Sequence, residues 1–161
     1  MRVGVISDTH DNLDAIKKAV KLFNAEGVAL VLHAGDFVAP FTAKPFGELN
    51  AELIGIFGNN DGDKLLLKER FEGAGVGELH EDPYELKLEG KSVVMTHKPQ
   101  IVSALTGTYD IVIYGHTHQP DIKKMGGRLV LNPGECGGWL SGKKTVALLD
   151  VEKLKAELRE L

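Results

Sequence analysis

Short apolar segments alternate with polar or glycine-rich corners along the chain, and this alternation predicts its elements. An uninterrupted apolar run is typical of a strand buried on both faces of a parallel sheet. Behind the first run, apolar residues recur every three or four positions up to Gly27, which predicts an amphipathic helix capped by Asn12 or Asp11. The first half is predicted to hold strands at 3–6, 28–32 and 53–57 and a short helix at 64–71.

The second half begins with a pattern typical of a hairpin. Apolar and polar residues alternate over 84–88, Glu89-Gly90 supplies a turn, and an apolar segment returns at 93–95. Antiparallel pairing beside the parallel part predicts an α/β fold with mixed sheets. Further strands are predicted at 111–114, 129–131 and 146–149 and a helix at 101–105, whereas the tail at 153–161 fits a helix and a strand equally well.

Length and composition indicate one globular unit. A chain of 161 residues has the size of an ordinary domain, so residues 1–161 are predicted to form a single domain. Its 43% hydrophobic and 26% charged residues are typical of a soluble protein. No apolar run approaches the roughly 18 residues that a membrane span requires, so no membrane association is expected. The first residues already form a strand pattern rather than an export signal, which predicts a cytoplasmic location.

Cysteine count and charge narrow the chemistry. Cys136 is the only cysteine, which excludes an internal disulfide and a cysteine-based zinc site. Any metal must therefore be held by nitrogen and oxygen. The formal net charge of −4 and the absence of a Lys/Arg run argue against extended nucleic-acid binding, because such binding depends on clustered cations.

Seven polar side chains follow five of the predicted strands. Carboxyl ends of parallel strands meet at one edge of a sheet, so side chains distant in sequence are expected to converge there. Each motif alone also fits an ordinary loop, but their joint occurrence at strand ends indicates a metal site. The predicted metal ligands are Asp8, His10, Asp36, Asn59, His97, His116 and His118.

The ligand types indicate which ions would bind. Carboxylate, imidazole and amide donors suit two divalent cations, with Mn as the first expectation and Ni, Zn, Fe or Co as alternatives. Two ions about 3.5 to 4 Å apart need a ligand that reaches both, and the carboxylate of Asp36 is predicted to bridge them. Gly35, Gly58 and Gly115 are expected to permit sharp turns and close approach of a substrate.

Three other features are open to interpretation. His33 is predicted to pack in the interior or to support a ligand. His80 is predicted to lie on the surface. The segment 134–141 with Trp139 either lines the site or an interface, or forms a buried turn with an anchored indole.

The combined motifs resemble the calcineurin-like metallophosphoesterases, in their small single-domain phosphodiesterase branch. The resemblance implies a four-layer α/β/β/α sandwich of two mixed sheets flanked by helices, with a strand in the tail. The motifs that carry it are Asp8-Thr9-His10, Gly35-Asp36, Gly58-Asn59-Asn60-Asp61, Thr96-His97 and Gly115-His116-Thr117-His118.

The resemblance also implies an activity and residue roles. A hydroxide bridging two divalent cations would hydrolyse a P–O bond of a small phosphodiester, and Asp36, Asn59, Asn60 and His97 would be the catalytic residues. One ion would be bound by Asp8, His10, Asp36 and His118, and the other by Asp36, Asn59, His97 and His116.

One position departs from the pattern of the family. Many relatives carry a histidine that protonates the leaving group where this chain has Asn60, which cannot titrate. Substrates with acidic alcohols need less protonation, so the departure favours diesters of that kind.

Two other functions are weighed against hydrolysis by this fold. The same fold serves as a protein-interaction scaffold, in which the metal site is degraded. Other dinuclear hydrolase folds place a His-x-His motif near their beginning, whereas here it comes late. Association of identical copies stays open.

Overall fold

Two mixed β-sheets form the centre of the computed structural model, which describes residues 1–161. The first sheet has six strands in the order β11-β10-β1-β2-β3-β4, and the second has five in the order β5-β6-β7-β9-β8. The strands are β1 Arg2–Ile6, β2 Leu30–His33, β3 Glu52–Ile56, β4 Gly77–His80, β5 Tyr84–Leu88, β6 Lys91–Thr96, β7 Ile111–Tyr114, β8 Asp121–Met125, β9 Arg128–Asn132, β10 Thr145–Asp150 and β11 Lys155–Glu160.

Parallel pairing in the first sheet comes from helical crossovers. Strands β1 to β4 are parallel, and β10 and β11 add antiparallel strands at the other side of β1. The crossovers contain α1 (Leu13–Ala25), a 3₁₀ turn (Pro40–Thr42) with α2 (Ala43–Phe46), and α3 (Lys64–Gly73). Asn12 caps α1, because its side chain accepts a hydrogen bond from the amide of Ala15.

The second sheet combines two hairpins around a parallel centre. The pair β5 and β6 and the pair β8 and β9 are antiparallel, whereas β7 pairs in parallel with β6 and β9. Both hairpin turns, Glu89-Gly90 and Gly126-Gly127, have two residues with positive φ, as tight hairpin turns require. A 3₁₀ turn (Pro99–Ile101) and α4 (Val102–Leu105) connect β6 to β7.

Apolar side chains fill the space between four layers. Helices α1 to α3 pack on the outer face of the first sheet through residues such as Phe23 and Phe71. The inner faces of both sheets meet in a second cluster that includes Val5 and Ile113. Helix α4 covers the outer face of the second sheet in a smaller cluster. The predicted α/β/β/α sandwich is confirmed.

The observed elements differ from the predicted ones at element boundaries and in three additions. Strand β2 begins at Leu30 instead of residue 28, and α2, β4 and β8 were not predicted. The ambiguous tail forms β11, as the family resemblance implies, and it pairs with β10 along its whole length. None of the helices combines the length and the apolar character needed to cross a bilayer.

Candidate metal centre

Seven predicted ligands lie together at one edge of the two sheets. Those of the first sheet follow β1, β2 and β3, and those of the second sheet follow β6 and β7. The structure therefore brings the side chains into two adjacent groups, one around Asp8 and one around Asp36. All these strands end at the same edge because they run parallel within each sheet.

The first group surrounds one oxygen of Asp8. Its Oδ1 lies 3.3 Å from Nε2 of His118 and 3.8 Å from Nε2 of His10. The two histidine Nε2 atoms are 3.3 Å apart. The other oxygen, Oδ2, accepts hydrogen bonds from Ser7 Oγ at 2.6 Å and from the amide of His116 at 3.0 Å. Asp8 is therefore oriented so that Oδ1 faces the histidines.

The second group surrounds the carboxylate of Asp36. Its Oδ2 lies 3.2 Å from Nε2 of His97 and 3.5 Å from Nε2 of His10, so this oxygen lies between the two groups. Asn60 donates its backbone amide to Oδ1 and its side-chain amide to Oδ2, each at 2.8 Å.

Asn59 and His116 lie next to the second group. Nδ1 of His116 is 2.7 Å from the side-chain oxygen of Asn59, and the rings of His116 and His97 are 5.1 Å apart. Both side chains are exposed, unlike those of Asp8, Asp36 and His97. All seven predicted ligands, and Asn60, are thus placed around one centre.

Three buried atoms at this centre have no hydrogen-bond partner. Oδ1 of Asp8 and Nε2 of His97 lie 3.9 Å apart, and the third atom, Nδ1 of His118, faces the carboxylate of Glu135 at 3.1 Å. An unpaired buried oxygen or nitrogen carries a full desolvation cost, which a shared cation would offset. Three ligand atoms lie within 4.8 Å of one another in each of two sets, Asp8-His10-His118 and Asp8-Asp36-His97. The residues present therefore fit divalent metal ions.

The charges of the centre reinforce one another. Burial disfavours ionised Asp8, but contacts with His10 and His118 outweigh it and hold the pKa of Asp8 well below its usual range. Burial likewise disfavours the charged form of His97, but Asp36 and Asp8 raise the pKa of His97 to about 9. Without an ion, a proton on His97 partly neutralises the carboxylates.

The backbone at the centre is strained. Five of the seven predicted ligands have positive φ, a region that residues with a Cβ rarely adopt. Such conformations cost about 1 to 3 kcal/mol each and persist at sites where the surrounding structure imposes them. The residues are Asp8 (53°), His10 (40°), Asp36 (62°), His116 (73°) and His118 (58°).

The three glycines beside the ligands serve the packing of the ligands. A Cβ on Gly58 would collide with the carboxylate of Asp36, and one on Gly115 would collide with Ser7 Oγ. A Cβ on Gly35 would meet Nδ1 of His97 at 2.5 Å, and Gly35 also has a φ of +100°. Their contacts are with ligand-bearing loops, so they permit close packing of the ligands, and the approach of a substrate stays a prediction.

Asp61 supports the Asp36 loop, a role that the sequence did not predict. Its carboxylate accepts hydrogen bonds from the amides of Asp36, Val38 and Gly58 at 2.7 to 3.1 Å. It thereby fixes two ligand-bearing loops to each other. Its position in the Gly58-Asn59-Asn60-Asp61 motif was the one feature of the sequence that could have indicated this supporting role.

Glu135 is a second supporting residue that the sequence did not predict. Its buried carboxylate lies 3.1 Å from Nδ1 of His118 and accepts hydrogen bonds from the amides of Trp139, Leu140 and Ser141. Like the ligands, it follows a buried strand, β9, and that position was the signal. A partner on the second ring nitrogen orients a ligating histidine.

The other histidines and the tryptophan differ in how they match their predictions. His33 is buried, stacks on Phe37 at 3.5 Å between ring centroids, and lies 3.3 Å from the Thr9 hydroxyl, so it packs as predicted. Burial lowers the pKa of His33 to about 3. His80 is partly exposed, with 23% of its side chain accessible, and it stacks on Tyr84. The indole of Trp139 is anchored on the main-chain oxygen of His10, but 65% of the residue is exposed, so of the two open interpretations the one that lines the site fits better than a buried indole.

Comparisons with known proteins agree with this geometry. The model of the calcineurin-like phosphoesterase superfamily domain matches residues 1–154. Phosphodiesterase MJ0936 of Methanocaldococcus jannaschii is 41% identical over 165 residues, which cover 100% of this chain and 98% of the relative. A solved archaeal phosphodiesterase superposes with a TM-score of 0.93 at 40% identity, over 100% of both chains.

A more distant structure bears on the scaffold alternative. Vps29 of Chaetomium thermophilum superposes with a TM-score of 0.70 at 14% identity, covering 100% of this chain and 96% of that one. At that identity the match shows a shared fold alone.

Fold and site together define a class of two-sheet α/β protein with metal-binding groups at the shared edge of the sheets. The family match over residues 1–154 and the 41% identity then identify the family. This chain belongs to the calcineurin-like phosphoesterase superfamily.

Proposed function

We propose that this protein is a metal-dependent phosphodiesterase that hydrolyses small phosphodiesters with two divalent cations. The observation that carries the proposal is the pair of buried, unpaired ligand atoms, Asp8 Oδ1 and His97 Nε2, which lie 3.9 Å apart next to the Asp36 carboxylate. The relatives named as phosphodiesterases support the reaction class.

The ligands divide between two ions. Asp8, His10, Asp36 and His118 would bind one ion, and Asp36, Asn59, His97 and His116 would bind the other. Oδ2 of Asp36 supports its bridging role, because it is within 3.5 Å of a histidine from each set. The absence of thiolate ligands makes Mn²⁺ the first candidate.

Two bound cations would supply an acidified water as nucleophile and would neutralise charge on the phosphoryl oxygens. The chain's own residues hold this arrangement in place. Asn60 fixes both oxygens of Asp36, Asp61 fixes the loop, and Glu135 orients His118. Asn60 is exposed, and the second N–H of its side-chain amide would donate to a phosphoryl oxygen, but it cannot protonate a leaving group.

A cavity of about 380 Å³ beside the centre supports a small substrate. Its wall is shared with the predicted ligands Asn59, His97 and His116. Lys64, Lys98 and Gln100 also line the cavity, so it offers polar contacts for one ester group. The cytoplasmic location and the oligomeric state stay predictions.

Metal removal and restoration test the proposal. Protein stripped with a chelator should lose activity on methyl p-nitrophenyl phosphate and regain it with Mn²⁺, and metal analysis should find two ions per chain. Asp36→Ala should lower the metal content and reduce kcat by more than about 100-fold, because losing a support residue alone already costs about 10 to 100-fold.

Cys136→Ser provides the matched control. Cys136 is buried near the centre but is not a ligand, so its replacement should leave the metal content at two. If no divalent cation restores hydrolysis to the stripped protein, the phosphodiesterase proposal is wrong.

A further inference from the structure

Trp139 is the only tryptophan of the chain and lies beside the metal centre. Its indole Nε1–H donates to the main-chain oxygen of His10 at 3.0 Å, yet 65% of the residue is exposed. Leaving a large aromatic ring in water forgoes the free energy of its burial. An exposed ring that is fixed to the rim of a site therefore suggests a ligand that covers it.

The loop that carries Trp139 is attached firmly to the centre. The Glu135 carboxylate binds the amides of Trp139, Leu140 and Ser141. The amides of Cys136 and Gly137 donate to the main-chain oxygens of Ser7 and Asp8, and the side chain of Asn12 donates to the oxygen of Gly137. Trp139 is thus held relative to the ligands Asp8 and His10 by polar contacts of its loop.

The contacts define how the indole is oriented. Nε1 is bound to His10, and Cδ1 lies 3.1 Å from the position that a Cβ on Gly137 would occupy. Both atoms belong to the five-membered ring, so this edge faces the protein. Because 65% of the residue is exposed, the rest of the indole remains accessible to a stacking ligand.

We propose that Trp139 is a stacking platform for a planar aromatic ester group, so that the substrates are phosphodiesters carrying a nucleobase or another aryl ring. The inference rests on the proposed function, because the phosphate of the substrate would lie at the metal centre. Stacking on an aromatic side chain strengthens binding by about 5- to 150-fold per base. Because the indole is already anchored, it loses little conformational entropy when a ligand binds, so little of the stacking affinity is lost.

The two ester groups of such a substrate would meet different surfaces. The polar cavity at Asn59, His97 and His116 does not include Trp139 or His10. The aromatic group would stack at the His10 side of the centre, and the second, polar group would enter the cavity. This division assigns a specificity role to Trp139 without a role in the chemical step.

The single tryptophan permits a direct binding test on Mn²⁺-loaded protein. Adenosine 5′-monophosphate and phenyl phosphate should quench its fluorescence saturably, whereas ribose 5-phosphate should bind without quenching. Equal quenching by both aryl ligands identifies any aryl ring as the occupant, and quenching by the nucleotide alone identifies a nucleobase. No quenching by either ligand overturns the platform.

Substitution supplies the second measurement. By calorimetry, Trp139→Ala should bind the aryl phosphates about tenfold more weakly or worse and ribose 5-phosphate unchanged. Leu140→Ala is the matched control, because Leu140 is 82% exposed on the same loop and its side chain makes no hydrogen bond. Equal affinity of Trp139→Ala and the wild type for the aryl phosphates overturns the proposal.

Two further outcomes distinguish the stacking platform from a contact between copies and from a failure of the proposed function. A shift of Trp139→Ala to a smaller size in gel filtration would identify the ring as a contact between copies and overturn the platform. A wild type that binds aryl phosphates with quenching but hydrolyses no diester with any metal would overturn the proposed function and leave the platform intact.

Discussion

Asn60 orients Asp36 and cannot titrate, whereas the family resemblance implies a histidine at this place in many relatives. Both of its hydrogen bonds go to the Asp36 carboxylate at 2.8 Å. The backbone bond is available to any residue, so only the side-chain bond depends on asparagine. The position therefore tolerates a change that adds acid chemistry.

Asn60→His should make turnover less dependent on the leaving group. An imidazolium can protonate the departing oxygen, and general acid catalysis contributes about 100 to 10,000-fold where the alcohol is a poor leaving group. The rate of the variant on alkyl diesters should rise relative to its rate on p-nitrophenyl diesters, which should fall because the side-chain bond to Asp36 is lost. The slope of log(kcat/KM) against the pKa of the leaving alcohol measures how strongly turnover depends on the leaving group.

Asn60→Ala separates the two roles. It removes the side-chain bond to Asp36 without adding an acid, so its slope should match that of the wild type at a lower overall rate. An unchanged slope in Asn60→His would contradict an acid role for this position.

The pKa of His97 predicts how metal binding depends on pH. Because the pKa of His97 is raised to about 9, the residue is protonated at neutral pH in the metal-free protein and must lose that proton to bind an ion. Affinity for Mn²⁺ should therefore increase from about pH 6 to about pH 8. Calorimetry in buffers of different ionisation enthalpy near neutral pH should detect proton release.

The same shift has a consequence for stability. The folded pKa of His97 lies above its ordinary value of 6.5, so the metal-free fold gains stability below pH 6.5 and loses it as the pH rises to about 9. His97→Gln should release fewer protons on metal binding and should lack this contribution. Equal proton release by both proteins would refute the prediction.

The sequence predicted the ligands better than their supports. Asp8, Asp36 and His97 stand shortly after apolar strands, so the joint occurrence of such residues at predicted strand ends marked them as candidate ligands. Asp61 and Glu135 make their contacts with amides and with a histidine far away in the chain, and no local pattern encodes such partners. Exposure of Trp139 also depends on which elements pack beside it.

At the scale of elements, the cap of α1 is also a contact with the loop that carries Trp139. Oδ1 of Asn12 accepts from the amide of Ala15 at 3.1 Å, and its Nδ2 donates to the oxygen of Gly137 at 2.7 Å. The amide side chain is needed because one end must accept and the other must donate. The start of the helix and the loop are thereby fixed together.

Asn12→Asp should destabilise the protein although aspartate is a good helix cap. The carboxylate keeps the bond to Ala15, but it faces the oxygen of Gly137 without a donor, which costs about 1 to 3 kcal/mol. Urea unfolding measures the loss. Asn24→Asp, at an exposed hydrogen bond near the end of α1, serves as a comparison for the same change elsewhere.

Predicted elements agreed with the fold wherever periodicity was unambiguous. The predicted hairpin of β5 and β6 is correct because its glycine-containing turn fixes the register. Strand β4 was missed because only one residue of Gly77–His80 is buried, so its sequence shows no strand pattern. The strand is held by its backbone pairing with β3. The tail is a strand because it pairs with the free edge of β10. The sequence of the tail does not encode this partner.

At the scale of the molecule, the metal centre joins the two sheets. Both groups of closely spaced ligand atoms contain residues from the two sheets. Asp8 of the first sheet lies with His118 of the second sheet in one group and with His97 of the second sheet in the other. An ion bound in either position therefore links the layers directly. Apolar packing fills the space between the sheets away from this edge.

Metal binding should raise the thermal stability of the protein. At a free Mn²⁺ concentration about 1,000 times the Kd, mass action adds about 4 kcal/mol, which corresponds to a rise in Tm of roughly 10 °C for a chain of this size. Differential scanning calorimetry with and without chelator measures the difference. Asp36→Ala, without its bridging carboxylate, should show a much smaller rise.

The distribution of ligands along the chain also determines when an ion can be captured during synthesis. Asp8 and Asp36 leave the ribosome early, but His97 and His118 emerge only after most of the first sheet has been made. Strand β1, which positions Asp8, gains its second neighbour only with β10 at Thr145–Asp150. A nascent chain consequently presents scattered weak donors, and loading with metal follows the assembly of both sheets.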